Sequence, residues 1–187
     1  MQFTAPQNFD SLTEALRFYG DADEIVFKNF CSLDEQEIAE LCREARKLAE
    51  HLRLHQGRCA AAEIASRYGV EVIEDRWEVA GGKVLYLAEC SLRPPRIRLN
   101  REAIEALAAL MSQWATEEEQ GWFTEEKLTE VTLAHELYHL LAQRPPSSAV
   151  ELAAHAFARA FTGLPFSPRL YQVLLARLSK REGGSAA

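Results

Sequence analysis

Residues 131–142 read VTLAHELYHLLA and residues 147–165 read SSAVELAAHAFARAFTGLP, and these two stretches decide the reading of the whole chain. Leu128, Val131, Leu133, Leu137, Leu140 and Leu141 form an apolar helix pattern. It begins after Thr124, whose hydroxyl suits a helix cap, and Glu125 and Glu126 fall in the first turn, where negative charge complements the helix dipole. The pattern ends near Gln143, before the Pro145-Pro146 break. Inside it, His135 and His139 stand four residues apart, so both project from one face and their ring nitrogens can meet on one metal ion. Glu136 lies beside them, placed to take a proton from a zinc-activated water as that water attacks a carbonyl. The HExxH pattern also recurs in unrelated helices. Here two imidazoles and a carboxylate sit in an apolar segment, which is costly unless they are paired or hold a metal.

The third ligand is less determined by spacing. A second helix starts near Ser148 and runs to about Phe161, and on folding back it offers the Glu151 carboxylate. A catalytic zinc takes three protein ligands and keeps one position open for water. Ser148 and Glu151 also form S-x-x-E, the pattern of a capping box, in which the glutamate bonds the backbone instead. His155, one turn beyond Glu151, is on spacing alone a rival ligand, a partner that holds a ligand's ring, or a boundary residue.

Working outward, Ser32 and Glu35 have the form of a capping box. Ile38, Leu41, Cys42, Ala45, Leu48, Ala49 and Leu52 then recur at helical spacing, which predicts an amphipathic helix from about Leu33 to Leu54. His51 and His55 lie one turn apart on it with no acidic or thiol companion, the pattern of a surface pair. A short helix is expected from Ala60 to Tyr68, stopped by Gly69. Strands are expected at Val70 to Ile73, at Lys83 to Ala88 after the Gly81-Gly82 turn, and at Arg96 to Leu99. Residues 101–114 read as a helix, TEEEQG interrupts the pattern, and a last helix is expected from Pro168 to Lys180. Helices, then strands, then helices predict an α+β fold rather than alternating βαβ units. The expected organisation is an N-terminal helical extension over residues 1–57, a metal-binding domain over 58–182 and a disordered tail over 183–187.

The 187 residues allow a real core, and a 48% hydrophobic, 26% charged composition is that of a globular chain. The start has no secretory pattern and no apolar run reaches membrane-spanning length, so a cytoplasmic location and no membrane association are expected. Cys31, Cys42, Cys59 and Cys90 form no CxxC pair, which points to free thiols. A net charge of −7 argues against a sequence-independent grip on nucleic acid. Arg93, Arg96, Arg98 and Arg101 cluster locally, as a solvated face does. Cys90, just before Pro94-Pro95, is most simply a small core residue. The sharper alternative is a thiolate that approaches the metal and displaces its water.

The two opening stretches resemble the ImmA/IrrE-type metallopeptidases, in which a T-x-A-H-E-x-G-H helix is followed by an E-x-x-A-N-x-F-A helix ending near Leu-x-Pro. The matching positions are Thr132, Ala134, His135, Glu136 and His139, then Glu151, Ala154, Phe157, Ala158 and, one residue late, Pro165. AAAEIASRYGVEV and PRIRLN are similar to the family's helix-Gly-strand entry and its I-x-L-N strand, so the resemblance spans roughly Ala60 to Pro165. Tyr138 replaces the usual Gly and His155 the usual Asn, and the connection from Asn100 to His135 is longer than is typical. The resemblance implies a zincin-like fold with zinc on His135, His139 and Glu151, and Glu136 as general base. It also implies an endopeptidase acting on a protein substrate such as a helix-turn-helix transcriptional repressor. Tyr86, Tyr138 and His155 are the candidates for stabilising an oxyanion, and the Arg96 to Leu99 strand is expected beside the site. One rival is a non-catalytic binding module that keeps the fold and a structural zinc, which His155 would serve as a fourth ligand. Another is a helical protein in which HExxH is accidental.

Overall fold

Side-chain oxygens mark where several of the described helices begin. In the computed structural model, which describes residues 12–21, 35–57, 59–77, 86–145 and 147–175, Asn100 accepts from the Ala103 N–H at 3.3 Å and starts α4 (Arg101–Trp114). Thr124 accepts from the Lys127 N–H at 3.1 Å and starts α6 (Glu125–Ala142). Ser147, not Ser148, accepts from the Val150 N–H at 3.3 Å and starts α7 (Ser148–Thr162). The Ser148–Glu151 capping box is therefore not formed, and the Glu151 carboxylate is left for other partners. Between α4 and α6, the TEEEQG interruption contains a short helix of its own, α5 (Glu117–Gln120), closed by a capping box of Thr116 and Glu119.

The remaining elements are α1 (Leu12–Asp21), α2 (Glu35–Gln56), α3 (Ala61–Arg67), β1 (Glu71–Asp75), β2 (Ala88–Leu92) and β3 (Pro95–Asn100), with residues 169–175 helical at the far end. The architecture is α+β, mostly helical, with one three-stranded mixed sheet in the order β1-β3-β2. β1 runs parallel to β3 and β2 antiparallel to it. Ile97 and Leu99 of β3 are fully buried against the helices. The other sheet face carries charge: Arg96 pairs with Glu71, and Arg98 with both Asp75 and Glu89. Of the arginine cluster seen in the sequence, Arg96, Arg98 and Arg101, the last on α4, are thus engaged in ion pairs.

The strand expected at Lys83 to Ala88 is displaced. Residues 83–85 lie outside the described residues, Tyr86 and Leu87 precede the strand, and only Ala88 belongs to it. The short turn that pairs Leu92 with Pro95 sets the register, so the partner strand and not the local apolar density fixes β2. The first helix, α1, has no counterpart in the expectations. The Ser32 cap, residues 176–180 of the last helix, and the tail lie outside the described residues.

α2 buries Ile38, Leu41, Cys42, Ala45, Ala49 and Leu52 and packs along α7, so the helix expected in the N-terminal extension shares one hydrophobic core with α6 and α7. α6 is sandwiched, with α7 on one side and β2, β3, α3 and α4 on others. That setting explains why it is apolar around most of its circumference rather than along one stripe. Among the described residues no helix is long and apolar enough to cross a membrane.

Candidate metal centre

The turn between α6 and α7 brings the two motif helices together. Gln143 takes the left-handed conformation (φ 49°) and ends α6, and the chain reverses through Arg144 and Pro145 into the Ser147 cap. Across this reversal the Glu151 carboxylate spans both histidines. One oxygen lies 3.3 Å from His135 Nε2, the other 3.4 Å from His139 Nε2, and the two Nε2 atoms are 3.2 Å apart. One ligand atom from each of the three residues lies within 4.8 Å of the others, and among the described residues no other His, Cys, Asp or Glu group does this. Two imidazole nitrogens and a carboxylate oxygen are the donor set of a catalytic zinc site with a position left for water. The residues fit the ion.

The donors sit in the wall of a cavity of about 900 Å³. The histidine side chains are mostly enclosed, 12% and 15% exposed, whereas Glu151 is 49% exposed. Hydrogen bonds from His135 and His139 hold the Glu151 carboxyl well below the usual carboxylate range, against the opposing effect of burial. For His139, burial disfavours the charged ring, but its bond to Glu151 and the negative charges of Glu151 and Glu136 outweigh this and raise its pKa. Glu136 is partly buried and lines the same cavity.

Three further candidates separate. His155 is 4% exposed, and burial, followed by the nearby His135, pushes its pKa well below 6.5. Its ring lies 4.6 Å from that of His135, its Nδ1 has no hydrogen-bond partner, and it does not join the ligand group. Tyr86 stands at the cavity wall, 58% exposed. Tyr138 does not line the cavity: it is 3% exposed and its ring packs 5.5 Å from Phe157, so its bulk goes into the core between α6 and α7. His51 and His55 are exposed with rings 4.2 Å apart, away from any acidic partner group of metal-binding geometry.

The strand beside the site is also different from the one expected. No residue of β3 lines the cavity, whereas Ala88, Glu89, Cys90 and Leu92 of β2 do. β3 is central, between β1 and β2, and β2 is the edge strand on the cavity side. Cys90 therefore lies within β2 rather than after a strand, and it lines the same cavity as Glu136. Burial, then the charges of Glu136, Glu151 and Glu89, push the thiol pKa up. Sequence reasoning gave no signal for Pro168, Tyr171, Gln172 and Leu175, which also line the cavity, nor for Arg144 in its lining, paired with Glu44 of α2 at 2.9 Å.

No family model, curated protein or solved structure matches this chain. The family resemblance thus rests on the residues of the motif helices and their flanks.

Proposed function

We propose that the chain is a zinc-dependent endopeptidase of the ImmA/IrrE type, acting in the cytoplasm on a protein such as a helix-turn-helix repressor. The observation that carries this reading is the convergence of His135, His139 and Glu151 at a cavity that Glu136 also lines. These three residues would hold the ion. When bound, zinc polarises a carbonyl oxygen and lowers the pKa of a water at the site.

The chain's own groups supply the rest. Glu136, in the helix turn that carries both histidines, accepts the proton of the attacking water and returns it to the departing amine. Enclosure of the two histidines limits competing water around their nitrogens and strengthens local electrostatics. The outer edge of β2 has no partner strand among the described residues, and it runs along the cavity. An extended peptide can add to such an edge by main-chain hydrogen bonds, which supports a protein substrate over a small molecule. A structural zinc would need a fourth protein ligand, and none of the described residues joins the three. The test pairs metal analysis of the purified protein with incubation against helix-turn-helix regulators encoded beside its gene. A discrete cut that a chelator abolishes is expected. Bound zinc with no cleavage of any of them contradicts the enzymatic reading.

A further inference from the structure

Register places Cys90 opposite Ile97 in the antiparallel β2–β3 pair. Directly opposed residues share a face of the sheet, and Ile97 is fully buried on the face that packs toward α6. The neighbouring Glu89 points the other way, into its ion pair with Arg98 on the solvated face. Cys90 is thereby held by the backbone ladder over the HExxH helix, where it shares the cavity wall with Glu136.

We propose that Cys90 is a positioning residue for Glu136: its S–H donates to one carboxylate oxygen and leaves the other oxygen facing the cavity. This rests on the reading of Glu136 as the general base. The terminal torsion of a glutamate is broad, so the base needs an outside contact to fix its plane. A donor on a side chain whose strand is fixed by its ladder to β3 is such a contact. The alternative, a thiolate that displaces the water, fits poorly. Cys90 Sγ is not part of the group formed by the three ligand atoms, so it does not stand where a ligand to the same ion would. A protonated thiol donates a hydrogen bond; it does not serve as a metal ligand.

The test uses Cys90→Val, which keeps the volume and removes the donor, and Cys90→Ser, which keeps a donor. Infrared spectroscopy of the full-length protein reads the contact independently of any activity, because the S–H stretch lies in a window clear of other protein bands. The band assigned to Cys90 by difference against Cys90→Val should be broad and shifted low, and Glu136→Gln, a weaker acceptor, should move it up. In cleavage assays Cys90→Val should lose about 10-fold in rate, short of the roughly 100-fold that a 1 Å misplacement of a reacting group brings, with its bound zinc unchanged. Cys90→Ser should restore most of the rate. A Cys90 band that ignores Glu136→Gln overturns the contact. A Cys90→Val protein that turns over like wild type overturns the positioning role while leaving the endopeptidase reading intact. A wild-type protein that cleaves no regulator overturns the endopeptidase reading first, and the positioning role with it.

Discussion

Replacing Glu151 by alanine separates a metal ligand from a carboxylate that merely pairs with two histidines. The side chain lies 3.3 Å from His135 Nε2 and 3.4 Å from His139 Nε2, and it performs no capping, because Ser147 takes the Val150 N–H. With Glu151 49% exposed, solvent screening limits its share of stability in metal-free protein to under about 1 kcal/mol, or at most about 2–4 °C in Tm for a chain of this size. The zinc-dependent effect is larger. Loss of an outer partner of a metal ligand already weakens affinity about 10- to 100-fold, so loss of a ligand itself should weaken it at least about 100-fold. At zinc about 100 times the wild-type Kd, binding adds about 2.7 kcal/mol to the stability of wild type. In the variant the same zinc roughly equals the new Kd and adds about 0.4 kcal/mol. The difference of about 2.3 kcal/mol corresponds to about 5–9 °C. Thermal unfolding with and without zinc, alongside elemental analysis after dialysis, reads it. A Glu151→Ala protein whose zinc-induced shift equals that of wild type refutes the assignment of Glu151 as a ligand.

Glu136→Gln should behave in the opposite way, keeping the full zinc-induced shift while cleavage falls about 100- to 10,000-fold; loss of zinc in this variant would make Glu136 a ligand. His155→Asn should keep zinc and flatten the acid limb of stability. Burial depresses the pKa of His155 below its ordinary 6.5, so below that pH the folded state binds fewer protons than the unfolded state and loses stability as pH falls. Urea titrations of metal-free protein at about pH 7 and about pH 5.5 check this, and equal slopes for wild type and variant would contradict it. Gln143→Gly should raise stability by roughly 0.5–1 kcal/mol, because glycine removes the Cβ penalty of the left-handed conformation at the end of α6; a lower denaturant midpoint would show that the Gln143 side chain supports the turn.

The motif helices were legible because their signals are local. A cap, an apolar run and a pair of histidines four residues apart all lie within one helix, and the amphipathic spacing of α2 is equally self-contained. What escaped depends on partners distant in the chain. β2 carries a modest apolar signal and is made a strand by β3, so the stronger KVLYLA run drew the expectation upstream. α1 has buried positions at Leu12, Ala15 and Tyr19, a readable spacing in a segment too short to stand out. It is held by the far end of the chain, where Ser167 N–H donates to Tyr19 O at 3.0 Å and Arg159 to Gly20 O at 3.1 Å. Within the site, the pairing of His135 with His139 followed from helix periodicity, whereas spacing left Glu151 and His155 both open as the third ligand and only the family resemblance favoured Glu151. Spacing could not tell that Tyr138 faces the core, since that depends on Phe157 of α7. Nor could it place Cys90 on the cavity wall that Glu136 also lines, which is a matter of strand register.

The packing of α2 along α7 also means that motif and fold do not share boundaries. A fragment beginning at Ala60, where the family resemblance begins, would contain every proposed ligand and the base. It would nevertheless leave α7, with buried residues from Ala149 to Phe161, lacking the helix that backs it. Such a fragment would present a bare apolar flank to water and self-associate. Shuffling or truncating this protein at the edge of its recognisable motif would thus preserve the ligand sequence while removing part of the support for the helix that carries Glu151.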